Sequence, residues 1–268
     1  DVLARWSEKM DIVSLLDLGI LTPQLLDALQ KQHADSYAAL MPRLALAAAE
    51  RGNSELAREL YERLTKLQTD NTLWQERAEQ FRTGAIAVWN FETDLSSWSA
   101  HADCELVVQN GVLVARTAGI DPQFQTPISG PPGGKAVVLR YRTAEPFTMQ
   151  LFWADSTGGM SELRHRDYPI PASPGEWREI ALPFWCQGTL NTLRLDPNTS
   201  KEHPLEIDSI VLRQVEPSEA WNQAPDLATR KAIVDAVSQK EGSLLALVKE
   251  HPEEHQWQFA LARNLSTR

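Results

Sequence analysis

The chain contains no long run of apolar residues: the longest, such as LALAAA at 44–49, are far too short to cross a bilayer. A charged n-region followed by an apolar h-region is also missing, so no signal peptide is visible. Cysteine is scarce, with Cys104 and Cys186 about eighty residues apart. Neither has a second Cys or a His at metal-ligand spacing, which argues against structural zinc. Two readings of the pair stay open: a disulfide in an oxidising compartment, or two buried thiols. Basic residues are in deficit, 26 Lys and Arg against 36 Asp and Glu, giving a net charge of −10. The segment 84–216 alone holds 10 basic and 16 acidic residues. A polyanion is repelled at long range by such a surface, so DNA, RNA and anionic lipid are poor partners.

Catalytic signatures are missing too. There is no G-x-S-x-G elbow, no G-x-x-x-x-G-K-[ST] phosphate loop, no strand-linked G-x-G-x-x-G and no H-E-x-x-H. Glycoside cleavage needs two carboxylates about 5–10 Å apart across a cleft, and nothing singles out such a pair. Of the six histidines only His165, in RHRDY, lies in a polar cluster, with Arg164, Arg166 and Asp167. Neighbouring strand residues point to opposite faces, so closeness in sequence argues against a dyad of His165 with Asp167 or Glu162. The expectation is a non-catalytic chain.

What is present is a change of rhythm near Gly84 that reverses near Glu216. Outside those points apolar residues fall three and four apart, as on amphipathic helices; between them they fall two apart, in short runs broken by Gly, Pro, Asn and Asp. The expected organisation is a helical segment over 1–83, a β-sandwich over 84–216 and a second helical segment over 217–268: an α+β multidomain chain with an antiparallel jelly roll inserted between α-helical hairpins. It starts at Asp1, not Met, and ends inside a helical pattern. An excised part of a longer polypeptide is expected.

In the first flank LARWSEKMDIVSLLDLG closes on Gly19. TPQLLDALQKQH opens with Thr22 as N-cap and Pro23 at the first helical position. Next, Leu44, Ala45 and Ala48 face Ala57, Tyr61 and Leu64 across a Gly52-Asn53 turn, and NTLWQERAEQFR follows with Trp74 packing back. That order of small and large residues resembles a tetratricopeptide repeat, a helical hairpin of about 34 residues. Weaker patterns return in DLATRKAIVDAVSQK, GSLLALVKEHP and EEHQWQFALARNL. Such flanks read either as scaffold or as a groove that docks other proteins.

Strands are expected at 86–91, 104–109, 111–116, 135–143, 147–154, 177–184, 189–196 and 205–214, with a hairpin at Gln109-Asn110-Gly111. Eight short antiparallel strands in about 130 residues mean a two-sheet sandwich. The opening NFETDLSSW and closing EIDSIVL resemble the galactose-binding-like jelly roll of carbohydrate-binding modules. The stretches MQLFWADSTGGMSELRHRDYPI, EWREIALPF and TLRLDP resemble accessory β-sandwiches of bacterial cell-surface polysaccharide proteins. The likeness covers roughly residues 86–214 and is an analogy of fold.

Alternation places Arg140 and Arg142 on one face of their strand, Gln150 and Phe152 on one face of the next, and Arg194 outward on a third. If these strands neighbour one another, the face carries planar donors and an aromatic, which a glycan site requires. The other reading is a solvated face on which arginine pairs with Asp196, Glu162 or Glu179. Tyr168 and Trp185 are further sugar-stacking candidates, whereas Trp98 and Trp177 read as core lids and Trp153 as buried. The resemblance also implies a structural calcium ion between Glu92 and Asp208, and otherwise no cofactor. The DPNTSKEH loop reads only as a turn.

Together these features lead to an expected function: a region of a bacterial envelope polysaccharide assembly or export protein, extracytoplasmic and periplasmic. Its sandwich would recognise glycan, its helical groove would dock envelope proteins, and the fragment itself would touch no membrane. The alternative is a purely structural protein-interaction domain with no sugar site.

Overall fold

The computed structural model describes residues 21–199, 204–215, 217–223, 241–250 and 255–266, with positions 230, 231, 233, 234, 237, 252 and 253. The chain divides into two units, 1–88 and 89–268. The helix expected to close on Gly19, most of DLATRKAIVDAVSQK, and the second half of the DPNTSKEH loop lie outside the described residues.

In the first unit Thr22 caps α1 (Pro23–Gln32), its hydroxyl accepting the Leu25 N–H at 3.2 Å. The chain continues through α2 (Ala34–Glu50), α3 (Ser54–Leu67) and α4 (Thr72–Arg82). Asn53 and Asn71 cap α3 and α4 in the same way, each accepting a backbone N–H through its amide oxygen. Leu44, Ala45 and Ala48 of α2 and Ala57, Leu60 and Leu64 of α3 are fully buried, because alanine on facing helices permits close approach. Tyr61 fills the remaining space, stacked at 6.0 Å on Trp74 and 5.9 Å on Phe81 of α4. β1 (Ala85–Trp89) lies across the boundary between the units.

The second unit is a two-layer antiparallel β-sandwich made of β2 (Ser99–Gln109), β3 (Val112–Gly130), β4 (Gly133–Arg142), β5 (Phe147–Asp155), β6 (His165–Ile170), β7 (Arg178–Cys186), β8 (Leu190–Pro197) and β9 (Leu205–Gln214). Strand order is β6-β5-β8-β3-β9-β4-β7, with β2 beside β3. The 19-residue β3 serves both layers: residues 113–115 pair with β9, and 124–130 with β8. The β2–β3 turn is tight, with Asn110 at φ 53° and Gly111 at φ 76°. Both angles suit a type I′ hairpin, which matches the right-handed strand twist.

Inward-facing side chains fill the space between layers: Val137, Leu139 and Tyr141 of β4, Met149, Leu151 and Trp153 of β5, Leu182 and Phe184 of β7, Leu193 and Leu195 of β8. Each fully buried aliphatic or aromatic side chain contributes about 1.5–3 kcal/mol. Trp153 and Phe184 meet across the layers at 5.0 Å. Trp98 is 3% exposed, edge-on to Trp89 and tilted against Phe124, so it is a core residue as its sequence position suggested. Both cysteine thiols are buried and free. Burial pushes Cys104 up to about 11 and Cys186 to about 12, so both stay protonated.

Among the described residues the sandwich is followed by α5 (Pro217–Gln223), α6 (Glu241–Glu250) and α7 (His255–Ser266). Ala220, Trp221, Leu244, Leu247, Trp257 and Ala260 form a buried cluster with Ala136 of β4 and Val215, and Ala181 and Trp185 of β7 pack on its edge. Trp221 and Trp257 meet edge-to-face at 4.6 Å. These helices therefore cover one end of the outer face of β4 and β7.

Candidate functional site

The outer face of the other layer is built differently. Backbone register lines up His165, Phe152, Arg194, Gln125 and Ser99 in one rung across β6, β5, β8, β3 and β2. Asp167, Gln150 and Asp196 form the next rung on β6, β5 and β8, and Gln123 and His101 are paired one step along β3 and β2. Nine of these ten side chains are polar, although the reverse side of β5, β6, β8 and this part of β3 faces the core. Five strands at roughly 4.8 Å spacing make the face about 20 Å wide. Ser99, His101 and Asp167 at the flanks are exposed, while Phe152 and Asp196 in the middle are buried by their neighbours.

Planar groups stack side by side along the first rung. The His165 ring lies 4.8 Å from that of Phe152 at 21°, and the Arg194 guanidinium sits 4.1 Å from the Phe152 ring centre. Phe152 is therefore 8% exposed and serves as the spacer between two hydrogen-bonding planes. The ring is not open to a sugar, contrary to the stacking role expected of it. His165 Nδ1 is 3.3 Å from Glu162 and its Nε2 3.3 Å from Asp167. Residues two apart on a strand share a face, so the sequence argument against this juxtaposition does not hold. Asp167 also accepts from the Gln150 amide at 3.1 Å.

Asp196 occupies the centre of the second rung. Burial raises its carboxyl to about 6, against the opposing pull of Arg194, whose Nη2 donates to Oδ2 at 2.8 Å; Asp121 raises it further. Its Oδ1 and the Arg194 Nε are buried atoms with no hydrogen-bond partner among the described residues.

The remaining expected site residues fall elsewhere. Arg140 and Arg142 are on β4, which neighbours β7 and β9, so β3 and β9 separate them from Gln150, Phe152 and Arg194. The single face expected from alternation is thus split between two layers. Arg140 pairs with Asp208 at 3.0 Å and Arg142 with Glu206, and both lie over the Trp177 ring, at 5.8 and 4.6 Å. Trp177 is consequently a half-buried outer-face residue and not a core lid. Tyr168 points inward, is 4% exposed and donates its hydroxyl to the Pro183 carbonyl. Trp185 is held against the C-terminal helical cluster instead of standing on a free loop. Asp208, expected as a calcium ligand with Glu92, is engaged by Arg140, and Glu92 lies beside Gly111. Among the described residues no group of three or more His, Cys, Asp or Glu is placed to hold a metal ion.

Sequence reading missed β6, the second half of β3 and the start of β2, which supply His165, Asp167, Gln123, Gln125, Ser99 and His101. A signal existed in the alternation of Phe124, Thr126 and Ile128 with Gln123 and Gln125, but Pro122 and Pro127 masked it.

Fold and site together define a two-layer antiparallel β-sandwich with one polar sheet face. No protein-family model and no curated protein sequence matches the chain. Among solved structures it is similar to the xylan-binding CBM22-1 domain of Xyn10C from Paenibacillus barcinonensis, at 12% identity and a TM-score of 0.38 over 49% of this chain and 95% of that one. It is also similar to a CBM35 module from Paenibacillus barcinonensis, at 16% identity and a TM-score of 0.34 over 48% and 99%. A third is the CBM1 module of BiXyn10A, at 10% identity and a TM-score of 0.40 over 49% and 99%. These values are low, and the chemistry of the site rests on the residues of this chain.

Proposed function

We propose that the sandwich binds a polysaccharide laid across the β6-β5-β8-β3-β2 face. The observation that carries this reading is the pair of polar rungs, which sets His165, Arg194, Gln150, Gln125 and Gln123 side by side on one sheet face. Sugar hydroxyls require donors and acceptors in alternation. Amides and imidazole offer both, in fixed orientation. Asp196 balances Arg194 at the centre, and Asp167 adds a further carboxylate beside them, which favours a neutral chain over a polyanion. The tetratricopeptide-like helices of the flanks would dock protein, and the polymer would be a bacterial envelope polysaccharide met outside the cytoplasm, in the periplasm. That setting is supported by the sequence resemblance over residues 149–170, 176–184 and 192–197.

Calorimetric titration of the full chain with neutral polysaccharides such as xylan and mixed-linkage glucan tests the reading. Gln150→Ala with Gln123→Ala should weaken binding about tenfold or more, since each lost hydrogen bond contributes about 0.5–1.5 kcal/mol. Failure of every neutral polymer to bind, or binding indifferent to the double substitution, would overturn it. The C-terminal helices seated on β4 and β7 favour a second reading, a protein-interaction scaffold, for which a pull-down recovers protein and no glycan.

A further inference from the structure

A separate pocket of about 300 Å³ opens at the end of the sandwich where β5 and β7 finish, lined by Trp153, Asp155, Leu163, Arg164, Arg166, Trp185 and Gln187. We propose that it is a second saccharide site, which takes a single pyranose carrying a carboxylate, a uronic acid unit. The proposal rests on the glycan reading for its ligand class and on other residues for its geometry.

The pocket has the makings of such a site. Its volume lies at the lower end for small-molecule sites, which suits one ring and not a chain. Of the two indoles Trp153 is 3% exposed and belongs to the core, so Trp185 supplies the apolar wall for the hydrogen-bearing face of a sugar ring. Leu163 stands 84% exposed at the rim, an apolar side chain with no packing role. Gln187 brings an amide for hydroxyl groups, and two of the charged side chains in the wall are guanidinium groups, whose flat forks match a carboxylate.

The arginine is held in position by the loops. Asp155, at the foot of the pocket, accepts from the backbone N–H of Thr157 at 2.8 Å and from those of Gln187 and Gly188 at 3.2 Å each. One carboxylate thus ties together the β5–β6 and β7–β8 loops. It also lies 3.6 Å from the Arg164 guanidinium, which donates to the Thr157 hydroxyl at 2.9 Å. Gly158 leaves room for this arrangement, since a Cβ there would stand 2.8 Å from the guanidinium nitrogens. Arg166, the second guanidinium of the wall, lies 5.7 Å from the Trp153 ring centre.

The test is tryptophan fluorescence or calorimetric titration of the full chain with glucuronate and galacturonate, with glucose and acetate in parallel. The expected result is saturable uronate binding at least tenfold tighter than glucose or acetate, weakened tenfold or more in Arg164→Gln and in Arg166→Gln. Gln123→Ala, on the sheet face, should leave it unchanged; circular dichroism melts confirm that each variant is folded. Uronate binding no tighter than acetate, or indifferent to both arginine substitutions, overturns the proposal. Neutral-polymer binding in the same proteins reads the sheet face on its own, so failure of one site is distinguishable from failure of the other.

Discussion

Across one rung of the β5–β8 ladder, the Arg194 guanidinium rests 4.1 Å from the centre of the Phe152 ring. His165 lies on the ring from the β6 side, so a single phenyl group sets the spacing of two hydrogen-bonding planes. Phe152→Ala removes that spacer and leaves a void beneath both. Chemical denaturation should show a loss of about 2–4 kcal/mol, below the largest Phe→Ala costs because the ring lies on the outer face. Polysaccharide binding should fall further than in Gln150→Ala alone. Phe152→Leu, which keeps bulk and loses the plane, should recover most of the stability and little of the binding.

Asp196 makes stability depend on pH in a direction opposite to most carboxylates. Its carboxyl titrates at about 6 when folded and near 3.8 in the unfolded chain. Between those values the folded state keeps a proton that the unfolded state has released, so this group's contribution falls as pH rises through the window and is level above it. Asp196→Asn should therefore gain on the parent chain between pH 4 and pH 7, by at most about 3 kcal/mol. Urea denaturation at both pH values measures the difference; a gap that narrows with rising pH contradicts the assignment.

Asp155 behaves in the usual sense. Burial works to raise its carboxyl, but hydrogen bonds from Thr157, Gly188 and Cys186 outweigh it and bring the group down to about 2. Its stabilisation is complete above pH 4 and is lost as pH falls toward 2. Asp155→Asn should cost about 2 kcal/mol at neutral pH, with the gap to the parent closing under acid conditions. Acid titration followed by near-ultraviolet circular dichroism checks it.

Trp185→Ala tests how far that residue holds the C-terminal helices on β7. Its contact with the helical cluster predicts a loss of about 2–4 kcal/mol and faster amide exchange in α5 to α7. Neutral-polymer binding at the sheet face should be untouched.

Arg140→Ala and Arg142→Ala should be quiet. Both are partly exposed, paired to Asp208 and Glu206 and resting on Trp177, an arrangement in which each ion pair contributes about 0–1 kcal/mol. Thermal melts should move by only a few degrees. Xylan titration should be unchanged, and a tenfold loss there would put the ligand on the wrong layer.

Strand-internal alternation was enough to sort Val137, Leu139 and Tyr141 inward and Gln150, Phe152 and Arg194 outward, because the strand period of two is a property of the backbone. Capping and turn chemistry at Thr22, Asn53 and Asn110-Gly111 was equally legible, being local. β6 was not: HRDYPI carries a histidine, an arginine, an aspartate and a proline, and only its pairing with β5 makes it a strand. Prolines at 122 and 127 likewise hid the part of β3 that supplies Gln123 and Gln125.

The amino-acid order by itself determined a β-sandwich with helices on both sides in sequence and the inward or outward direction of most strand residues, since these follow from contacts a few residues apart. Tertiary structure alone decided which outward residues meet. It set Arg194 against Phe152 and His165, sent Arg140 and Arg142 to the other layer, and drew Asp155 to the β7–β8 loop. Strand order depends on pairings between residues up to a hundred positions apart, which no periodicity within a strand records.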